Sequence, residues 1–113
     1  MTRMEWNMLF ELRQYAINDG YREQFVRLME EEIIPYQTKQ GMVILGSFVS
    51  EEDENTYVWI RRFSSEAERE RLYDAVYNTD YWRDVIGPQV AEMMSRDSIS
   101  VKRLEATPRS PIQ

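Results

Sequence analysis

Neither cysteine nor histidine occurs anywhere in the 113 residues. Missing thiols exclude cysteine nucleophiles, thiol redox chemistry and disulfides; with histidine missing too, zinc sites of the usual kind and haem held by either residue are excluded. The side chain that most often moves protons near neutral pH is also absent. Any enzyme built on this chain works with Glu, Asp, Tyr, Lys or Arg, or leans on a cofactor or on the substrate itself. Basic residues are in deficit, 14 against 20 acidic ones for a net charge of -6, which opposes the phosphate neutralisation that nucleic-acid binding needs. No apolar run approaches the roughly 20 residues of a membrane span, and no basic segment followed by an apolar stretch opens the chain. The expectation is a soluble, cytoplasmic protein with no nucleic-acid or membrane partner. The acidic run Glu51-Glu52-Asp53-Glu54 lacks the alternating ligands and glycine of a calcium loop, so it reads as a solvated hairpin. Neither metal nor cofactor is expected.

What is present is ordinary globular composition, 42% hydrophobic and 30% charged, in a length that suits one domain with one modest core. Met8 to Ile17 alternates as a strand and ends in the turn signal Asn18-Asp19-Gly20. Phe25, Leu28, Met29, Ile33 and Tyr36 recur at helical spacing, with Pro35 predicting a stop or kink near Ile34 and Gly41 an end by Gln40. Met42 to Ser50 and Thr56 to Phe63 read as two strands joined by the acidic hairpin. Ser65 with Glu68 forms a capping box before a second helix carrying Leu72, Ala75 and Val76. Helical turns follow on either side of Gly87-Pro88, and Ile99, Val101 and Leu104 mark a last strand. Residues 1–105 are expected to form one domain, and 106–113, with Pro108 and Pro111, a disordered tail.

The order strand, helix, strand, strand, helix, strand is the split βαβ arrangement called ferredoxin-like, an α+β fold with both helices on one face of an antiparallel sheet. In the first strand Phe10 and Leu12 are apolar, whereas Glu11, Arg13 and Tyr15 share the opposite side; in the third, Val58 and Ile60 oppose Tyr57, Trp59, Arg61 and Phe63. The expected assignment puts Phe10, Leu12, Val58 and Ile60 under the helices and gathers the mixed set on the open face. Such a face is too apolar for water, so a homodimer packed sheet against sheet is expected. Arg13 and Arg61 among aromatic rings can hold a carboxylate or enolate; they can equally pair with Glu11 inside a dimer interface. Tyr36, Tyr81, Trp82 and Arg83 form a second group, in which Trp82 either walls a cavity against Tyr36 or closes off the core.

Glu11-Leu12-Arg13-Gln14-Tyr15, Tyr57-Val58-Trp59-Ile60, Glu68-Arg69 and Asp80-Tyr81-Trp82 together resemble the NIPSNAP family, roughly from Met8 to Leu104. The resemblance implies the dimeric α+β barrel superfamily, whose members include cofactor-free monooxygenases, isomerases, lactonases and haem-degrading enzymes. It points to Arg13, Tyr15, Trp59, Arg69 and Trp82. Two departures stand out: the histidine of many related barrel enzymes is missing, and Ile60-Arg61-Arg62-Phe63 replaces a tyrosine-containing stretch. The expectation is a small-molecule pocket for an aromatic or acidic metabolite, bound by Arg13, Tyr15, Trp59, Arg61 and Trp82. The alternatives are a cofactor-free monooxygenase or isomerase and a non-catalytic dimeric interaction module.

Overall fold

The computed structural model describes residues 8–113; the first seven positions of the expected domain lie outside them. Strand β1 (Leu9–Ala16) leads through the Asn18–Gly20 turn, where Gly20 takes a positive φ of 83°, into a helix that runs from 22 to 40. It comprises α1 (Arg22–Leu28), a π turn (Met29–Ile33) and α2 (Ile34–Gln40). Strands β2 (Val43–Val49) and β3 (Thr56–Phe63) follow, then α3 (Glu66–Tyr77), a second π turn (Trp82–Ile86), α4 (Gly87–Met93), a 3-10 turn (Arg96–Ser98) and β4 (Ser100–Glu105). The sheet order is β2-β3-β1-β4 with every pair antiparallel, the ferredoxin-like α+β arrangement. Among the described residues no helix is long and apolar enough to cross a membrane.

Local sequence explains the element ends. Ser65 accepts from the Glu68 amide at 3.0 Å, and the Glu68 carboxylate takes the Ser64 amide at 2.9 Å, so the orphan donors at the start of α3 are satisfied from both sides. Asp53 caps the hairpin, its carboxylate holding the Asn55 and Thr56 amides at 2.8 Å each. Gly41, at φ 112°, closes α2 in the left-handed region where other residues are strained.

Pro35 does not stop the first helix. Proline offers no N–H and crowds the carbonyl four residues back. Here the preceding residue, Ile34, bonds five residues back to the Met29 carbonyl, and the helix continues through a widened turn. Gly87 before Pro88 does the same, bonding to the Trp82 carbonyl.

The expected assignment of sheet faces is inverted. Tyr57, Trp59, Arg61, Phe63, Glu11 and Tyr15 are buried and point to the helices. Phe25 of α1 meets Tyr57 at 5.2 Å and Tyr15 at 6.1 Å, both edge-on. Leu12, Val58 and Ile60 lie on the opposite, open face and are only partly covered. Phe10, on the same face, is buried beside the chain end. Aromatic side chains bury roughly 150–250 Å² each, more than the aliphatic set, and they span the gap to the helices. The charged members accompany them because Glu11 and Arg61 satisfy each other. In β2 a bulge between Ile44 and Gly46 separates two residues that simple alternation puts together: Ile44 pairs with Arg61 on the helix side, Phe48 with Val58 on the open side.

The core therefore lies between sheet and helices in two parts. One is built on Tyr15, Phe25, Met29, Ile33, Trp59, Ile86 and Met94, the other on Met42, Phe63, Leu72 and Val76. Between them runs a buried polar seam of Glu11, Gln37 and Arg61. The last residues make a turn, Ser110 N–H to the Thr107 carbonyl, and Arg62 donates to the Gln113 carbonyl, so that Ile112 approaches Phe10, Leu12 and Ile60.

Candidate functional site

Register builds the seam. Glu11 lies opposite Arg61, Arg13 opposite Trp59 and Tyr15 opposite Tyr57, so that all six side chains leave the sheet on the helix side. Arg61 donates from Nη2 to Glu11 Oε1 at 2.7 Å and to Tyr73 at 2.7 Å, from Nε to Glu11 at 3.2 Å, and from Nη1 to Gln37 at 2.8 Å and Tyr77 at 2.7 Å. Its carbon also sits 4.8 Å from the Trp59 ring centre. With every donor engaged, Arg61 has none for a ligand. Glu11 Oε2 receives Arg69 at 2.7 Å and the Tyr73 hydroxyl at 2.6 Å. Burial pushes the Glu11 carboxyl up, but Arg61, Tyr73 and Arg69 together outweigh it and hold the group below the usual glutamate value. Burial, supported by the hydrogen bond to Glu11, pushes Tyr73 up to about 12 against the nearby Arg61 charge.

Beside the seam opens a cavity of about 300 Å³, at the small end of the range for small-molecule sites. The sheet supplies Arg13, Tyr15 and Trp59; the first helix supplies Phe25, Met29 and Ile33; α3 supplies Tyr73 and Tyr77. Trp82, Gly87, Val90, Met94, Arg96 and Ile99 complete the wall. Both π turns reach it, through Met29, Ile33 and Trp82, because the wider turn set up by the following proline offsets side chains from ordinary helical positions. Gly87 is required for closeness: a Cβ there would stand 2.9 Å from the Trp82 carbonyl oxygen.

Tyr15 is the polar centre of the wall. Its oxygen accepts from Arg13 Nε at 2.9 Å and from Trp59 Nε1 at 2.8 Å. Burial raises its pKa, offset in part by Arg13, so the phenol stays protonated. The cavity can thus hold a planar body between aromatic and methionine walls and offer hydrogen-bond donors at its sheet end. Among the described residues there is no group of metal-ligating side chains.

Of the residues expected to bind a ligand, Arg13, Tyr15, Trp59 and Trp82 line the cavity. Arg61 stands behind the wall, fully buried. Trp82 packs edge-on against Tyr77 at 4.7 Å rather than against Tyr36, which meets Tyr81 in a tilted ring contact at 4.8 Å and hydrogen-bonds Thr79 at 3.0 Å. Arg83 pairs with Asp80 on the surface. Arg69 serves Glu11 and Glu66. The mixed face expected to be enclosed by two subunits is enclosed by the chain's own helices.

Sequence reasoning passed over Tyr73, Tyr77 and Gln37. Two signals were present: tyrosines four apart beside the apolar stripe of α3, and a glutamine continuing the four-residue series Met29, Ile33. Arg96, exposed in the 3-10 turn, carried no signal, since only chain folding brings it to the cavity.

The fold recurs in solved structures. A NIPSNAP family protein of unknown function from Agrobacterium tumefaciens is 22% identical, with all of both chains covered and a TM-score of 0.85. An uncharacterised NIPSNAP-like domain protein from Burkholderia xenovorans is 20% identical over 94% of this chain and 90% of that one, at 0.83. A protein from Caulobacter crescentus, provisionally assigned as an antibiotic biosynthesis monooxygenase, is 14% identical over 90% and 92%, at 0.70. At these identities the likeness speaks for the fold alone. No curated protein matches the sequence. The NIPSNAP family model matches residues 10–111, nearly the whole chain, and the chain belongs to the NIPSNAP family.

Proposed function

We propose that this chain holds a small aromatic or acidic metabolite in the cavity between sheet and helices, as a cytoplasmic homodimer. The observation that carries the reading is the cavity of about 300 Å³ bordered by both Arg13 and Trp59. A cluster closed by its own side chains would have spoken for a purely structural role; the Glu11–Arg61 seam next to the cavity is closed in that way, and the cavity is not. In a catalytic version Arg13 stabilises an enolate-like anion and Tyr15 moves a proton; Glu11, engaged by two arginines and a tyrosine, is a poor base. A thermal-shift screen against a metabolite panel tests the binding. Ligands that raise the melting temperature of the natural chain are expected to leave Arg13→Ala unmoved while gel filtration shows the same assembly; an unchanged ligand response in the variant overturns the proposal.

A second reading, a dimeric interaction module, draws on the open face. Phe48, Val43 and Leu104 are 53%, 38% and 45% exposed there beside half-covered Val58 and Ile60. An apolar face of this kind is suited to a second sheet. The two readings are compatible, because cavity and open face lie on opposite sides of the sheet. A cofactor-free monooxygenase is the catalytic alternative; oxygen uptake with a panel of quinols tests it, and no uptake by any of them dismisses it.

A further inference from the structure

We infer that the ligand of this cavity is a carboxylate on an otherwise apolar or aromatic body, and that Arg13 is the group that binds it; this rests on the cavity being a binding site, as proposed above. Three guanidiniums surround one buried carboxylate. Arg61 is paired with Glu11 at 2.7 Å, and Arg69 with Glu11 and with Glu66 at 3.0 Å. Arg13 comes no nearer than 3.9 Å to Glu11, at an oxygen already taken by Arg61 and Tyr73. Its hydrogen bonds go to two neutral phenols, Tyr15 at 2.9 Å and Tyr73 at 3.2 Å. Among the described residues its Nη2 has no partner, although the side chain is only 14% exposed. A cation largely withdrawn from water without an anion of its own is costly, and an anion arriving from the cavity relieves that cost.

The remaining polar groups point the same way. Tyr15 accepts two N–H bonds, and so does Tyr77, from Arg61 and Gln37. With their lone pairs occupied, both phenols have an O–H left to donate, and among the described residues neither has an acceptor. The indole N–H of Trp82 likewise has no acceptor there, and Arg96 adds a second positive charge to the lining. Among the described residues no carboxylate lines the cavity, in a chain whose net charge is -6. A wall of donors with no acceptor to spare selects an anion. Phe25, Met29, Ile33, Val90 and Met94 then exclude a strongly hydrated ion and ask for an apolar body behind the charge. A carboxylate also matches the planar fork of a guanidinium.

Titration calorimetry of the full chain with 2-naphthoate and with its uncharged counterpart 2-naphthamide tests this. The natural chain is expected to bind the carboxylate at least about tenfold more tightly than the amide, the margin of a charge-assisted hydrogen bond, and Arg13→Met to shrink the gap to about twofold or less while still binding the amide. Should that variant not fold, Arg13→Gln, polar and neutral, takes its place with the same expected collapse. If the amide binds as tightly as the carboxylate, the cavity remains a binding site and the carboxylate inference falls. If the preference survives loss of Arg13, the assignment to that residue falls. If neither probe binds, the cavity is not a site for such molecules, and the proposal beneath the inference falls with it.

Discussion

Arg61 stands directly across the β1–β3 pairing from Glu11, and the two close a 2.7 Å ion pair with 0% and 1% of their surfaces exposed. Sheet register places them face to face, and two tyrosines and a glutamine from the helices complete their hydrogen bonds. The pair divides the core and leaves Arg13, two residues along the same strand face, at the edge of the cavity.

Breaking this pair from one side is expected to be far worse than removing both members. Glu11→Leu leaves Arg61 charged and buried, a loss of about 3–5 kcal/mol in urea unfolding. The double variant Glu11→Leu with Arg61→Met is expected to recover a large part of that loss. Simple additivity of the two single losses would show that the pair is not a coupled unit.

The same carboxylate sets an acid limit. Its pKa is lowered in the folded chain, net of the burial that opposes ionisation, so the native state binds its proton less readily than the unfolded one. The resulting stability is present above the ordinary glutamate value of roughly 4.3 and disappears as the pH falls through the folded value. Unfolding free energy measured from pH 6 down to pH 2 is expected to fall more steeply in the natural chain than in Glu11→Gln.

At the alkaline end the sign reverses. Burial pushes both Tyr57 and Tyr73 up to about 12, so their protons stabilise the folded state fully below the ordinary tyrosine value of roughly 10, and the contribution is lost as pH rises through the folded values. Ultraviolet titration is expected to show a tyrosine phase near 12, reduced in Tyr73→Phe. Complete ionisation by pH 11 with the fold intact would contradict this.

Gly87→Ala is a test of the cavity wall. The new methyl meets the Trp82 carbonyl at 2.9 Å, and overpacking of this kind costs about 1–3 kcal/mol, set against the roughly 1 kcal/mol that alanine gains over glycine in a helix. Net destabilisation and a shifted Trp82 fluorescence spectrum are expected. An unshifted spectrum with raised stability would mean that the wall relaxes freely.

Dimerisation is expected through the open face. Phe48→Lys removes a half-exposed aromatic from it, at a stability cost expected within about 0.5 kcal/mol for a surface position. Sedimentation velocity is expected to show a dimer for the natural chain and a monomer for the variant. Dimers in both would place the interface elsewhere.

Much of the fold was legible along the chain, because strand alternation, the Ser65–Glu68 cap, the Gly20 and Gly41 turns and the order of elements are local properties of neighbouring residues. Pro35 was legible as an irregularity but not as a π turn, since whether a helix breaks or widens depends on what the following segment packs against. That Glu11, Arg13 and Tyr15 share a face with Tyr57, Trp59 and Arg61 also followed from alternation once two strands were taken as neighbours, whereas the register that sets Glu11 opposite Arg61 came only with the folded sheet.

The sequence by itself determined the elements, the family resemblance and which side chains share a strand face. Only the tertiary structure decided which face the helices cover. Polarity argued for the side away from the helices, but Glu11 and Arg61 satisfy one another while Tyr15, Tyr57 and Trp59 bring the larger apolar surface, so the mixed face turned toward the helices. Tertiary structure also separated Arg61, engaged at every donor, from Arg13, whose hydrogen bonds go to phenols and to no carboxylate. Two arginines on one face of the sheet read alike in a sequence, because the groups that distinguish them, Tyr73, Tyr77 and Gln37, arrive from helices distant along the chain.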